Sequence, residues 1–159
     1  MEEMTNAQDV ETVSEGKQYI VIRLGDEQYG IDIQYVDNIV RMQRITRVPK
    51  AQPYFVGVIN LRGEIIPVMS MRRKFQLEDD VFTGSTRIII IKLEAQHAIG
   101  IIVDEVKEVV TLYEDSIEKP AAADAADFKS QYLSGIGKQE DGLISLLNIA
   151  NVIVDKEAM

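Results

Sequence analysis

Cysteine and tryptophan are absent, and histidine occurs once, at position 97. Without a thiol there is no disulfide, no thiolate nucleophile and no Cys-based metal site, and a reducing compartment is compatible. With a single imidazole, a metal site would have to be built from carboxylates. The longest apolar run, Ile88 to Ile91, is far short of the roughly 20 residues that span a bilayer. No basic segment followed by an apolar run marks a secretory leader. Cations are outnumbered, and the formal net charge is −9. A phosphate backbone would be repelled on average, so nucleic acid is not an expected partner. The same charge favours solubility. Two basic clusters, Arg41-Arg44-Arg47 and Arg72-Arg73-Lys74, stand in this acidic background and read as solvated faces and strand rims.

What is present suits one compact domain or two small packed halves, in 159 residues with 46% hydrophobic and 27% charged. Residues 1–17 are polar and acidic and read as a tail. From Tyr19 the pattern turns β-branched and aromatic. Tyr19 to Leu24, a Gly25-Asp26-Glu27 turn, and the alternation of Tyr29, Ile31 and Ile33 predict a hairpin. Ile33-x-x-Val36-x-x-Ile39-Val40 has the three-and-four spacing of a helical turn, with Asp32 as its cap. Phe55 to Leu61 and Ile65 to Met69 predict two strands around Asn60-Leu61-Arg62-Gly63-Glu64, and Gly63 suits a positive φ there. Pro67 predicts an edge strand or a bulge. Asn148 to Lys156 reads as a closing helix.

The pattern then recurs. Ile20 to Leu24 aligns with Ile89 to Leu93, 69 positions later. Gly30 to Val40 aligns with Gly100 to Val110 at 70, Gly57 with Gly135 at 78, and Gly63-Glu64-Ile65 with Gly142-Leu143-Ile144 at 79. Four blocks in one order, with glycines in register, imply an internal duplication. The repeats run over about 18–80 and 85–155, and the drift falls in the Ala-rich stretch from Pro120 to Asp127. Each unit reads as about five short strands and a helical turn that close into a barrel. Two such thin barrels should pack on each other. Asp141-Gly142 marks a hairpin in the second unit.

Catalytic chemistry finds little support. His97 falls in a predicted turn. Asp26-Glu27, Glu78-Asp79-Asp80 and Glu114-Asp115 lack the spacing of a calcium loop. The glycines form no phosphate cradle: Gly135-Ile136-Gly137-Lys138 is too short and precedes a strand. No enzyme activity, metal or cofactor is expected. Arg62, at a predicted hairpin tip, fits either an interface or plain solvation. Val36 and Ile39 fit either a core or a groove between the halves.

The same residues carry a family likeness. Leu24 to Ile33, Gly57 to Val68, Gly100 to Val106 and Tyr132 to Gly137 resemble the most recognisable stretches of CheW-type chemotaxis coupling domains, over about residues 18 to 155. The resemblance implies a mainly β fold of two SH3-like five-stranded barrels, with short helical turns and a C-terminal helix, in one domain over 18–157. It implies an adaptor, not an enzyme, that couples the cytoplasmic tips of chemoreceptors to the regulatory domain of the histidine kinase CheA. The setting implied is cytoplasmic, recruited to membrane-associated arrays without insertion, with weak self-association in rings. By resemblance, Ile33, Val36, Ile39 and Val106 supply an apolar groove for a receptor hairpin. Arg62 is the polar anchor beside it, Gly57 allows close approach, and Lys119 serves ring contacts. Asn38 stands where the family often has Glu, and Ser70-Met71 where it often has Asp-Leu, which bears on receptor preference. Alternatives are a scaffold of another two-component system on the same fold and an SH3-like nucleic-acid-binding module.

Overall fold

The computed structural model describes residues 16–49, 52–93, 97–119, 131–140 and 142–153. Strand β1 (Gly16–Leu24) sorts its apolar side chains into two sets. Tyr19 and Val21 enter one core, and Ile20, Ile22 and Leu24 enter another, because successive strand residues face opposite ways. Strand β6 (Arg87–Ile91) does the same, with Ile88 and Ile90 in one core and Ile89 and Ile91 in another. The unbroken run Ile88 to Ile91 is therefore the signature of a strand covered on both faces.

The remaining strands are β2 (Glu27–Asp32), β3 (Val36–Arg41), β4 (Phe55–Leu61), β5 (Glu64–Ser70), β7 (Ile99–Val103), β8 (Glu105–Tyr113), β9 (Ile117–Glu118), β10 (Leu133–Gln139) and β11 (Gly142–Leu147). Two short helices, α1 (Met71–Lys74) and α2 (Ile149–Ile153), follow β5 and β11. One sheet has the order β8-β1-β2-β11-β10-β9 and the other β3-β6-β7-β5-β4. Each curls until its ends approach. In the first, β9 continues from β8 and pairs with β10. In the second, Thr46, downstream of β3, exchanges two 2.8 Å backbone hydrogen bonds with Val58 of β4. We refer to them as the β1 barrel and the β6 barrel. Tyr19, Val21, Leu112, Ile144 and Leu146 fill the first, and Ile59, Ile66, Val68, Ile88, Ile90 and Ile102 fill the second. A third, larger core lies between them. It joins Ile20, Ile22, Leu24, Tyr29 and Ile31 of the β1 barrel to Met69, Ile89, Ile91, Ile101 and Val103 of the β6 barrel. Each fully buried side chain of this kind contributes about 1.5–3 kcal/mol, so this shared core is a major bond between the barrels.

The barrels do not coincide with the repeats read from the sequence. The hairpin β1–β2 belongs to the first repeat and sits in a sheet with β8 to β11 of the second. The hairpin β6–β7 of the second repeat sits in the sheet of β3 to β5. Each barrel is completed by a hairpin of the other repeat, an exchange that local sequence pattern does not encode. The later register is also corrected. Glu64 faces Leu61 and Gly142 faces Gln139, so Glu64 matches Gly142 and the 78-residue spacing of Gly57 and Gly135 continues. Tyr54 and Tyr132 then correspond, and their carbonyls accept from the N–H of Ser70 at 2.7 Å and of Asn148 at 2.8 Å.

The stretch predicted as helical over 33–40 is a single 3₁₀ turn, Ile33–Tyr35, followed by strand β3. Asp32 does cap it, its carboxylate accepting from the Gln34 N–H at 3.1 Å. The helix-like spacing comes from a β-bulge. Val36 faces Ile91 and Asn38 faces Ile90, which leaves Asp37 as the extra residue. The bulge returns Ile39 to the side of Val36, three positions on. Strand β8 repeats the device at Lys107, between Val106 and Glu108.

Gly16 and Lys17, placed in the tail by the sequence, pair with Tyr113 and Leu112 as the start of β1. Pro67 lies in an interior strand and not at an edge, just before the parallel pairing of Val68 with Gly100 begins, so its missing N–H costs no ladder bond there. The predicted closing helix is seen as α2, and its continuation past Ile153 lies outside the described residues, as do Asp141, residues 120–127 and the tail over 1–15.

Candidate partner-binding surface

The bulges set the character of this surface. They turn Val36 and Ile39 of β3, and Val106 of β8, onto the margin of the core between the barrels. All three are half-buried: each packs inward on that core and keeps an outward face. Ile33 precedes them on the 3₁₀ turn and is 36% exposed. Val36, Ile39 and Val106 thus each pack on the core shared by the barrels, with Ile33 on the turn just ahead of Val36. The sequence reading omitted Val109, which is 50% exposed on β8. The signal was available, because Val109 follows Ile39 by the same 70 positions that relate Val106 to Val36.

The other expected positions lie elsewhere. Arg62 and Gly63 form the two-residue tip of the β4–β5 hairpin, both with positive φ, 56° and 87°. Asn60 braces the tip, its side-chain oxygen accepting from the Gly63 N–H at 2.9 Å. Arg62 is exposed, in the left-handed conformation that a glycine or asparagine adopts more readily. Lys119 is exposed just past β9. Asn38 is half-buried and its oxygen accepts from the neighbouring Ile39 N–H at 2.8 Å, which leaves its NH₂ as the outward group. Gly57 is buried, and its close approach is to this chain: an added Cβ would lie 2.2 Å from the Thr46 carbonyl oxygen. That position lets the β6 barrel close.

An ionic cluster fixes how the barrels meet. Asp104 sits on the crossover from β7 to β8. It accepts from Arg72 Nε at 2.8 Å and Nη2 at 2.6 Å, and from the Gly25 backbone N–H at 2.8 Å. Arg23 of β1 reaches Glu105 at 2.9 Å. Arg72 is on α1 after the β6-barrel strand β5, and Gly25 is in the β1–β2 turn, so one carboxylate ties both barrels. The hydrogen-bonded Arg72 guanidinium holds the Asp104 carboxyl below the usual range, with help from the Gly25 N–H and against the effect of burial. Asp80, which accepts from the Ser70 hydroxyl at 2.5 Å, is pushed up by burial. Beside this cluster the Lys74 ammonium lies 3.9 Å from the Tyr54 ring centre and 5.6 Å from that of Tyr132, a cation held between equivalent tyrosines. Among the described residues no three His, Asp or Glu side chains gather as metal ligands, and no helix is long and apolar enough to cross a membrane.

Chemically these features suit binding better than catalysis: half-buried apolar side chains at the shared core, an exposed arginine on a turn, and an ionic cluster that ties the barrels. Comparison with known proteins agrees in kind. The family model described as CheW-like domain matches residues 18–157. The chain is 36% identical over 146 residues to the chemotaxis protein CheW of Bacillus subtilis (strain 168), covering 92% of each. It is 33% identical over 142 residues to the chemotaxis protein CheW of Klebsiella aerogenes, covering 89% of this chain and 84% of the relative. The crystal structure of the scaffolding protein TtCheW from Thermoanaerobacter tengcongensis superposes with a TM-score of 0.79 at 33% identity, covering 89% of this chain and 94% of that one.

Proposed function

The chain belongs to the CheW-like domain family of chemotaxis adaptors, and from that premise we propose that it couples chemoreceptor cytoplasmic tips to the regulatory domain of the histidine kinase CheA, without catalysis. The observation that carries this reading is the pair of half-buried apolar rows at the margin of the shared core. A receptor hairpin offers apolar residues at three- and four-residue spacing, and such a helix docks into a shallow apolar channel. Val36, Ile39 and Val106 are already partly desolvated by the core behind them, so a helix laid on them completes their burial at little ordering cost. Ile33 and Val109 extend the rows outward, Asn38 offers its amide, and Arg62 supplies a planar fork for a carboxylate or carbonyl. Gly57 acts by shaping the barrel that carries this surface, and Lys119 contributes to a separate kinase or ring contact. Weak individual contacts suffice where an array holds each adaptor several times. Residence in the cytoplasm at membrane-associated arrays follows from the same partners.

The test is calorimetric titration of the protein with a CheA regulatory domain and, separately, with a receptor-tip hairpin. We expect micromolar-range binding to both. Val109→Asp and Arg62→Asp, both at exposed positions, should weaken receptor-tip binding by about tenfold or more while the circular-dichroism melt stays unchanged. Wild-type affinity for the tip in both variants would remove the groove reading, and absence of kinase-domain binding at high concentration would move the adaptor to another signalling system.

A further inference from the structure

One cross-strand pair at the end of β3 carries two like charges. Arg41 of β3 lies directly opposite Arg87 of β6, two residues beyond the facing pair Ile39 and Ile89. Alternate strand residues share a face, so the two arginines continue the side on which Ile39 and Ile89 pack into the core between the barrels. Like charges directly opposite destabilise a sheet, and among the described residues no carboxylate pairs with either arginine. Arg87 Nη1 donates to the backbone oxygens of Gly84 at 2.7 Å and Thr86 at 2.9 Å, which leaves Nε and Nη2 as donors. Arg41 is exposed.

The fold does not require these charges. The positions equivalent to Arg41 and Arg87 in the β1 barrel, by the spacings of 70 and 69, are Thr111 and Gln18. They form the same cross-strand pair between β8 and β1, and it is neutral. In a chain of net charge −9, Arg41 and Arg87 are an unmatched basic site at the end of one apolar strand face.

We propose that Arg41 and Arg87 bind a carboxylate of the helix that docks on the β3 side of the shared core, and so select helices with an Asp or Glu one turn beyond their apolar contact. It rests on the reading of that surface as a helix-binding groove. Two strand residues advance about 6.6 Å, and four helical residues about 6 Å. A helix running along β3 with an apolar residue against Ile39 therefore brings the side chain four positions away over the arginines. A carboxylate there takes charge-assisted bonds from two guanidinium groups and relieves the repulsion between them. A lysine there is rejected, and a neutral residue leaves the repulsion in place, so the pair discriminates among helices and fixes the direction in which one lies. On β8 the side chains of Val106 and Val109 lead to the neutral Thr111, and that side makes no such selection.

Calorimetric titration with a receptor-tip hairpin tests it, at about 0.05 M and about 0.5 M salt. Arg41→Gln and Thr111→Glu each lower the net charge by one unit. Arg41→Gln should weaken binding about fivefold at low salt and much less at high salt, and Thr111→Glu less than about twofold at either. Arg41→Glu should weaken it about tenfold or more. Changing the acidic residues of the hairpin to Lys one at a time should find one that restores its affinity for Arg41→Glu. Circular-dichroism melts confirm that the variants are folded. Wild-type affinity in Arg41→Glu, an equal loss in Thr111→Glu, or the lack of any rescuing lysine would overturn the proposal, and the groove reading would still stand if Val109→Asp weakened the tip. No binding of the tip to the wild type would overturn both. A single-stranded oligonucleotide that bound the wild type and not Arg41→Gln would reassign the pair to phosphates and overturn it as well.

Discussion

Ile117 and Glu118 close the β1 barrel against β10, and among the described residues Thr46 alone closes the β6 barrel against β4. Around these corners the barrels keep one plan. Tyr54 and Tyr132 accept from equivalent backbone N–H groups, Ser70 and Asn148 cap equivalent helices with their side chains, and bulges fall at Asp37 and Lys107. What the plan does not share is surface chemistry. Arg44 answers to Glu114, the Arg62 tip answers to Glu140, and Asp104, the anchor of the ionic cluster, answers to Gln34. The duplicated core keeps the architecture, while the faces that meet partners have diverged, so two similar barrels offer two different surfaces.

Ile22 and Ile91 test the shared part of the plan most severely. They are equivalent by the 69-residue spacing, both fully buried, and both in the core between the barrels. Ile22→Ala and Ile91→Ala should each cost about 2–5 kcal/mol. Because each barrel contains a hairpin of the other repeat, both variants should unfold in one transition in urea, with fluorescence and circular dichroism coincident. Two separable transitions, or a loss confined to one barrel, would show that the exchanged strands do not couple the barrels.

The closing corners give the next largest effect. At Gly57 an added Cβ would meet the Thr46 backbone oxygen at 2.2 Å. At Gly135 it would meet a side-chain methyl of Ile117 at 2.9 Å and the Glu118 oxygen at 3.1 Å. A methyl group can rotate away, whereas a carbonyl that is bonded into the closing bridge cannot. Gly57→Ala should cost about 3 kcal/mol and Gly135→Ala about 1 kcal/mol. Equal costs in a urea midpoint comparison would mean that the β6 corner yields as easily as the β1 corner.

The alternation and glycine spacing behind the repeat reading are local signals, and the strands of both barrels follow them. Sequence alone misread Val36 to Val40 as helical because a bulge in a strand produces the three-residue spacing of a helix. It could not show the exchange of hairpins, since Ile20 to Leu24 and Ile89 to Leu93 look alike and either could pair with β3 or β8. Arg62 at a turn and Val36 and Ile39 at a margin were legible as alternatives. The structure gives the tip geometry of the first and the half-burial of the others. Asp104 passed unremarked beyond its place in the resemblance, because its partners Arg72 and Gly25 are distant in sequence.

Asp104 also marks where the two barrels part company in pH response. Its carboxyl is held below the ordinary range in the folded protein, while in the unfolded chain it titrates near about 3.9. A depressed folded value means that the ionised form is favoured by folding. Its contribution is complete above the unfolded pKa, and it is lost as pH falls through the folded one. Asp104→Asn removes that charge and leaves Arg72 with a neutral partner, and it should cost about 2 kcal/mol at pH 7. The gap between wild type and variant should then shrink as pH falls below about 4 and close once Asp104 is protonated in both states. Gln34, at the equivalent position on the other crossover, carries no carboxylate of its own and its amide only donates to the neighbouring Asp32 at 3.1 Å, so substituting it should open a far smaller pH-dependent gap. Urea midpoints of the three proteins across this range read the difference. A gap that stays constant through acid would assign the loss to packing and not to the ionised carboxylate that ties the barrels together.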